Sequence, residues 1–260
     1  MKRVFYIIFG VTAITGILSL IGLRAVQKEI VTPVNSPSPT SIEQPQSPML
    51  TVDDNGHTIA YVIQLSPPKN VSLYSNLDTA TASSLAREKH SCRSLVNAGF
   101  YTKEMTHLGR FSGTDGEYSG AIESTLLDGF LSIDSTYRAR IGFDEPNAGN
   151  QIVLQSGPII RQNGSIRPLR LIEDKFARRI IAGVTNSGEL LFMALYFPDQ
   201  EYSGPLLARV PSILEKIAQK ERLEIIDAIN LDGGSASAFI QDTVALTELN
   251  PVGGFFCIRQ

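Results

Sequence analysis

Apolar residues in this chain come in short runs cut by Gly, Pro and Asn, a rhythm of strands more than of long helices. The segments 58–65 (TIAYVIQL), 151–160 (QIVLQSGPII), 189–197 (ELLFMALYF), 224–231 (EIIDAINL) and 254–259 (GFFCIR) are predicted strands. The run 190–197 is apolar at every position, which places it inside a sheet with both faces covered. Helical spacing occurs twice. In 76–90 (NLDTATASSLAREKH), Asp78 or Thr79 can cap a helix running to about Lys89. In 210–223 (VPSILEKIAQKERL), Pro211 suits a first turn, and Ile213, Leu214 and Ile217 follow helical spacing. Strands outnumber helices without alternating regularly with them. The predicted fold is α+β, one large twisted mixed sheet with a few packed helices.

The N-terminus follows another pattern. Lys2 and Arg3 precede twenty residues, Val4 to Leu23, that carry no charge. At about 1.5 Å per residue they match a hydrocarbon core of about 30 Å. Residues 1–30 are therefore predicted to be a cytoplasmic tip and an uncleaved signal anchor, a transmembrane helix. A cleaved secretory signal is the alternative, although its apolar part usually spans only about 7–15 residues. In both cases Lys2 and Arg3 stay inside and everything after Arg24 lies outside the cytoplasm, on the periplasmic or extracellular face. Residues 31–50 are rich in Pro, Ser and Gln and read as a disordered linker. The remaining segment, 51–260, is long enough for one domain with a large core.

Charge and side-chain chemistry narrow the function classes. A formal charge of -3 without a Lys/Arg run argues against nucleic acid as a partner. No G-x-S-x-G, P-loop or H-E-x-x-H motif occurs, and His57, His90 and His107 are scattered without ligand spacing. No cofactor and no obligatory metal are expected, although Asn230 and Asp232 are oxygen ligands of the kind Ca²⁺ or Mg²⁺ accepts. The two cysteines, Cys92 and Cys257, both fall in the exported part, where they either pair or stay as two unrelated buried thiols.

The stretch 228–239 (AINLDGGSASAF) ends an apolar run in a carboxylate and two glycines. Asp-Gly-Gly by itself is usually a turn. Asp227 and Asp232 are five positions apart, so on a straight strand they face opposite ways and do not form a glycosidase-type carboxylate pair. In company the stretch means more. NLDGGSAS (230–237), VNAGFY (96–101), LQSGPII (154–160) and RIIAGVTNSGEL (179–190) occur in the order of the motifs of the phosphodiester glycosidase family, and the chain resembles that family over most of its domain. Ser235 and Ala236 depart from the usual D-G-G-G-S-S, and Ile180 and Ile181 from the usual R-T-A-x-G.

The resemblance implies a hydrolase releasing a sugar from a sugar-1-phosphodiester in envelope or extracellular polysaccharide, with a phosphorylated glycan as partner. It implies Asp232 as base or nucleophile, with Arg179 and Asn97 completing the catalytic set. Arg179 offers a two-pronged donor to phosphate. Gly99, Gly157, Gly233 and Gly234 allow close backbone approach, and Gln155, Asn230 and Ser237 add polar groups that contact substrate. Each has a plainer reading. Arg179 can pair with Glu173 or Asp174, with Arg178 as a surface residue; Asn97 and Gln155 can satisfy buried backbone; Gly99 and Gly157 can serve backbone shape; Phe100 and Tyr101 can be core and pocket wall. A non-catalytic glycan- or phosphoglycan-binding module tethered to the membrane is the alternative function.

Overall fold

The computed structural model describes residues 49–259. The predicted anchor and the linker up to residue 48 lie outside the described residues, among which no helix is long and apolar enough to cross a membrane.

Asn-Gly steps shape the hairpins. At Asn55-Gly56 and again at Asn163-Gly164 both residues take positive φ, the geometry of a tight two-residue turn between antiparallel strands. The result is mostly sheet. A seven-stranded sheet runs in the order Leu50–Asp54, His57–Ser66, Leu190–Tyr196, Arg179–Thr185, Ile225–Asn230, Ile159–Gln162, Ser165–Ile166. One five-stranded sheet runs Val244–Leu246, Phe239–Gln241, Ser94–Asn97, Gly254–Ile258, Val71–Ser75, and a second runs Gly116–Ser119, Phe111–Gly113, Asn150–Ser156, Gly129–Asp134, Ala139–Gly142. The expected single mixed sheet is thus corrected to three sheets, and every strand pairing among the described residues is antiparallel.

The predicted strand 151–160 is in fact two strands in two sheets, Asn150–Ser156 and Ile159–Gln162. Gly157 and Pro158 separate them, with Gly157 at φ +155, where a side chain is strained, and Pro158 unable to donate to a ladder.

Leu190–Tyr196 lies where its uniform apolarity put it. All seven residues are buried. Leu190, Phe192, Ala194 and Tyr196 face the core shared between sheets, while Leu191, Met193 and Leu195 face the helix Val210–Glu221. Ile213, Leu214 and Ile217 of that helix complete the second core. Each such fully buried side chain contributes about 1.5–3 kcal/mol by leaving water. The other helix, Ser83–Lys89, starts later than expected: neither Asp78 nor Thr79 caps it, and Glu248 accepts hydrogen bonds from the Ser83 backbone and hydroxyl. Just beyond it Cys92 forms a disulfide with Cys257 of the strand Gly254–Ile258.

Candidate active site

Three segments meet at the end of the strand Ile225–Asn230. The first is 230–238, which carries Asp-Gly-Gly. The second is 97–101, leaving the end of the strand Ser94–Asn97. Asn97 joins them: its Nδ2 donates to the Asp232 carbonyl (2.8 Å) and to the Ala98 carbonyl (3.3 Å), and its Oδ1 accepts from Ala238 N (2.9 Å). The third is 249–253. The Ser235 carbonyl accepts from Leu249 N and Asn250 N, Asn250 Nδ2 donates to Ser235 Oγ, and Tyr101 donates its hydroxyl hydrogen to the Pro251 carbonyl at 2.7 Å. Gly253 admits the Tyr101 ring, since a Cβ there would stand 2.6 Å from Tyr101 Cδ1.

Asp232 sits half-buried at this junction. Its Oδ1 accepts from Gly233 N (2.8 Å), which favours the charged form, yet burial outweighs that bond and pushes the carboxyl up to about 7. Burial and the neighbouring Asp232 charge together raise the Tyr101 hydroxyl. Among the described residues no Lys or Arg pairs with Asp232.

The two neighbouring arginines are held in different surroundings. Arg179 bonds Asp174 (3.2 Å), the Lys175 carbonyl and the Pro205 carbonyl (3.0 Å), so its guanidinium is held on the 174–175 loop. Arg178, expected at the surface, is fully buried. Its Nε donates to Ser237 Oγ (2.8 Å), and its Nη2 to the Ser237 and Thr247 carbonyls. Its own carbonyl accepts from Gly234 N (2.8 Å). Burial lowers the Arg178 pKa, the Tyr202 ring lies 5.2 Å from its guanidinium, and Nη1 has no partner. Adjacent residues of an extended chain point to opposite sides, so the two side chains had to separate.

Most of the expected donors are already engaged. Gln155 is buried, with Nε2 donating to the Ile122 and Leu127 carbonyls and Oε1 accepting from Arg110 N and Ile122 N. Ser237, also buried, donates to the Gly234 carbonyl (2.6 Å). The N–H groups of Gly233 and Gly234 go to Asp232 Oδ1 and the Arg178 carbonyl. The glycines also permit close contact: a Cβ at Gly233 would stand 2.5 Å from the Arg178 carbonyl oxygen, and one at Gly99 2.7 Å from Leu154 Cδ1. Gly157 packs against the backbone of 126–128. Asn230 differs. Its Nδ2 donates to the Gly157 carbonyl (2.9 Å), which fixes the amide, and its buried Oδ1 is left with no partner.

Arg178 and the segment 249–253 were missed in the sequence. The strand after Arg178 is apolar on both faces (Ile180, Ala182, Val184 and Ile181, Gly183), so its pattern carries no sign of which arginine points inward. Among the described residues no group of three or more His, Cys, Asp or Glu side chains converges on a metal position.

Residues 90–257 match the family model for phosphodiester glycosidase, and the chain belongs to that family. Solved structures share the fold. The zebrafish N-acetylglucosamine-1-phosphodiester alpha-N-acetylglucosaminidase catalytic domain, auto-inhibited by its pro-peptide, matches with a TM-score of 0.64 at 14% identity, covering 84% of this chain and 85% of that one. A hypothetical protein from Synechocystis matches at 0.61 and 13% identity, covering 81% and 61%. An exported protein from Burkholderia pseudomallei, itself assigned only provisionally, matches at 0.55 and 11% identity, covering 78% and 74%. No curated protein sequence matches the chain. Family and fold together support a hydrolase.

Proposed function

We propose that this protein is a hydrolase that releases a sugar from a sugar-1-phosphodiester, with Asp232 as its titrating group. One observation carries the reading: a lone half-buried carboxyl at the end of a central strand, pushed up to about 7 by burial. General-base catalysis is most efficient when the base titrates near the working pH, and an ordinary aspartate falls well short of that. The leaving group of such a diester is a phosphate ester of low pKa, which departs as an anion without a proton. A single base then suffices. Asp232 removes a proton from water, the water oxygen bonds to the anomeric carbon, and the electrons of the broken C–O bond leave on the phosphate. Asn97, Ser237 and Arg178 act behind the loop as positioning residues.

The test is turnover of synthetic sugar-1-phosphodiesters by the full chain and its Asp232→Asn variant. A loss of about 10²–10⁴-fold in kcat/KM is expected, the size of a general-base contribution. Equal rates, or no turnover across a broad panel, would sink the reading. In ¹⁸O-labelled water the label is expected in the sugar; label in the phosphate would mean P–O cleavage. Arg179's engagement with Asp174 favours a second reading, a glycan-binding module without catalysis. That module binds a phosphorylated glycan saturably without product, and keeps binding in Asp232→Asn.

We further propose that the domain works outside the cytoplasm, anchored or secreted, on envelope or extracellular polysaccharide. The charge-free run 4–23 supports this, as does the Cys92–Cys257 bond, because disulfides persist in oxidising compartments and are rare in the cytosol. Protease added to cells with a permeabilised envelope and intact cytoplasmic membrane should digest the domain; full protection would overturn this placement.

A further inference from the structure

Away from the Asp232 junction, the sheet built on Gly129–Asp134, Ala139–Gly142 and Asn150–Ser156 borders two open hollows of about 560 and 700 Å³. Both are lined by the buried Phe130 and the exposed Phe143, so they adjoin across these two residues. Each falls within the roughly 300–1,000 Å³ of pockets that take a small-molecule ligand, and a ligand filling both must be extended. Phe143 is 40% exposed; the Arg167 guanidinium lies 4.5 Å from its ring centroid.

The lining identifies the ligand class. Asp134, Asp144 and Glu145 in the first hollow and Glu123 and Asp128 in the second outnumber Arg138 and Arg140, so no positive field exists to hold a nucleic acid or a polyphosphate. The polar lining is too extensive for a lipid tail. What remains is an exposed aromatic ring, Phe143, among amides, carboxylates and guanidinium groups, the donors and acceptors that hydroxyls pair with. Aromatic rings pack against the C–H faces of pyranoses while those side chains bond the rim hydroxyls. We propose that the two hollows form a cleft for an oligosaccharide chain.

A structural link joins this cleft to the proposed site. Leu127 and Asp128 line the second hollow. The same two residues pack on Gly157, where an added Cβ would stand 3.0 Å from Leu127 Cα and 2.8 Å from Asp128 N. The Gly157 carbonyl accepts from Asn230, two residues before Asp232. The oligosaccharide is accordingly the chain that carries the phosphodiester, a point that rests on the hydrolase reading above; binding in the cleft does not.

The experiment is calorimetric titration of the full chain carrying Asp232→Asn, which removes turnover, with α- and β-linked hexasaccharides of glucose, mannose, galactose and N-acetylglucosamine. Saturable binding of at least one is expected, weakened at least tenfold by Phe143→Ala and by Arg140→Ala at unchanged melting temperature. Binding of none of them, or binding indifferent to both substitutions, overturns the cleft. Turnover of a small sugar-1-phosphodiester by the unsubstituted chain is scored separately: its absence defeats the hydrolase reading and leaves the binding result standing.

Discussion

A carboxyl held near neutral pKa by burial makes the folded state hold its proton more tightly than the unfolded chain does. For Asp232, stability should therefore fall as pH rises from about 4, where an unfolded aspartate titrates, to about 7. Asp232→Asn removes that cost while keeping an oxygen for Gly233 N. It is expected to stabilise the protein by about 1–3 kcal/mol at pH 8 and to make no difference near pH 4, as read from melting curves across that range. Activity should show the opposite dependence: kcat/KM rises with pH through about 7, because the base must be unprotonated. A flat profile between pH 5 and 8 would take Asp232 out of the role of base. Arg178 calls for a different measurement. Its guanidinium is fully buried on neutral oxygens, so Arg178→Ala takes the donor away from the Thr247 and Ser237 carbonyls; a loss of about 2–4 kcal/mol is expected by denaturant titration. Arg179→Ala should perturb the 174–175 loop and leave the Asp-Gly-Gly segment in place.

At the scale of elements, what was legible follows from how local the signal was. Leu190–Tyr196 and the helix Val210–Glu221 were readable because their patterns are written in their own residues. The partition into three sheets was not, since it depends on which strand meets which. Gln155 shows how this reaches the site: a glutamine at the end of an apolar run reads equally as a ligand group or a backbone partner until the 122–127 backbone is seen around it. Asn97 was half legible. Its place at the end of an apolar run marked it, but its partners are 135 and 141 residues away. The break at Gly157 yields a test: Gly157→Ala would drive a Cβ into the Leu126 carbonyl at a φ of +155. Misfolding or a drop of more than about 2 kcal/mol is expected, against little change for Gly188→Ala's open surroundings beyond the strain of its φ.

For the molecule as a whole, the Cys92–Cys257 bond closes a loop of 165 residues. Cross-linking so long a loop restricts the unfolded chain strongly; replacing both cysteines by serine is expected to cost about 2–5 kcal/mol by denaturant titration under non-reducing conditions. The strand that carries Cys257 also lies between Ser94–Asn97 and Val71–Ser75 in its sheet, and Gly254 packs on Phe111. Its neighbours are made long before it, so they must wait with an unfilled slot between them, and the Asn97 end of the site waits too. A ribosome stalled ahead of residue 254 would hold a chain still open along that seam, pliable enough to be threaded through a pore and unable to lock until its closing strand arrives.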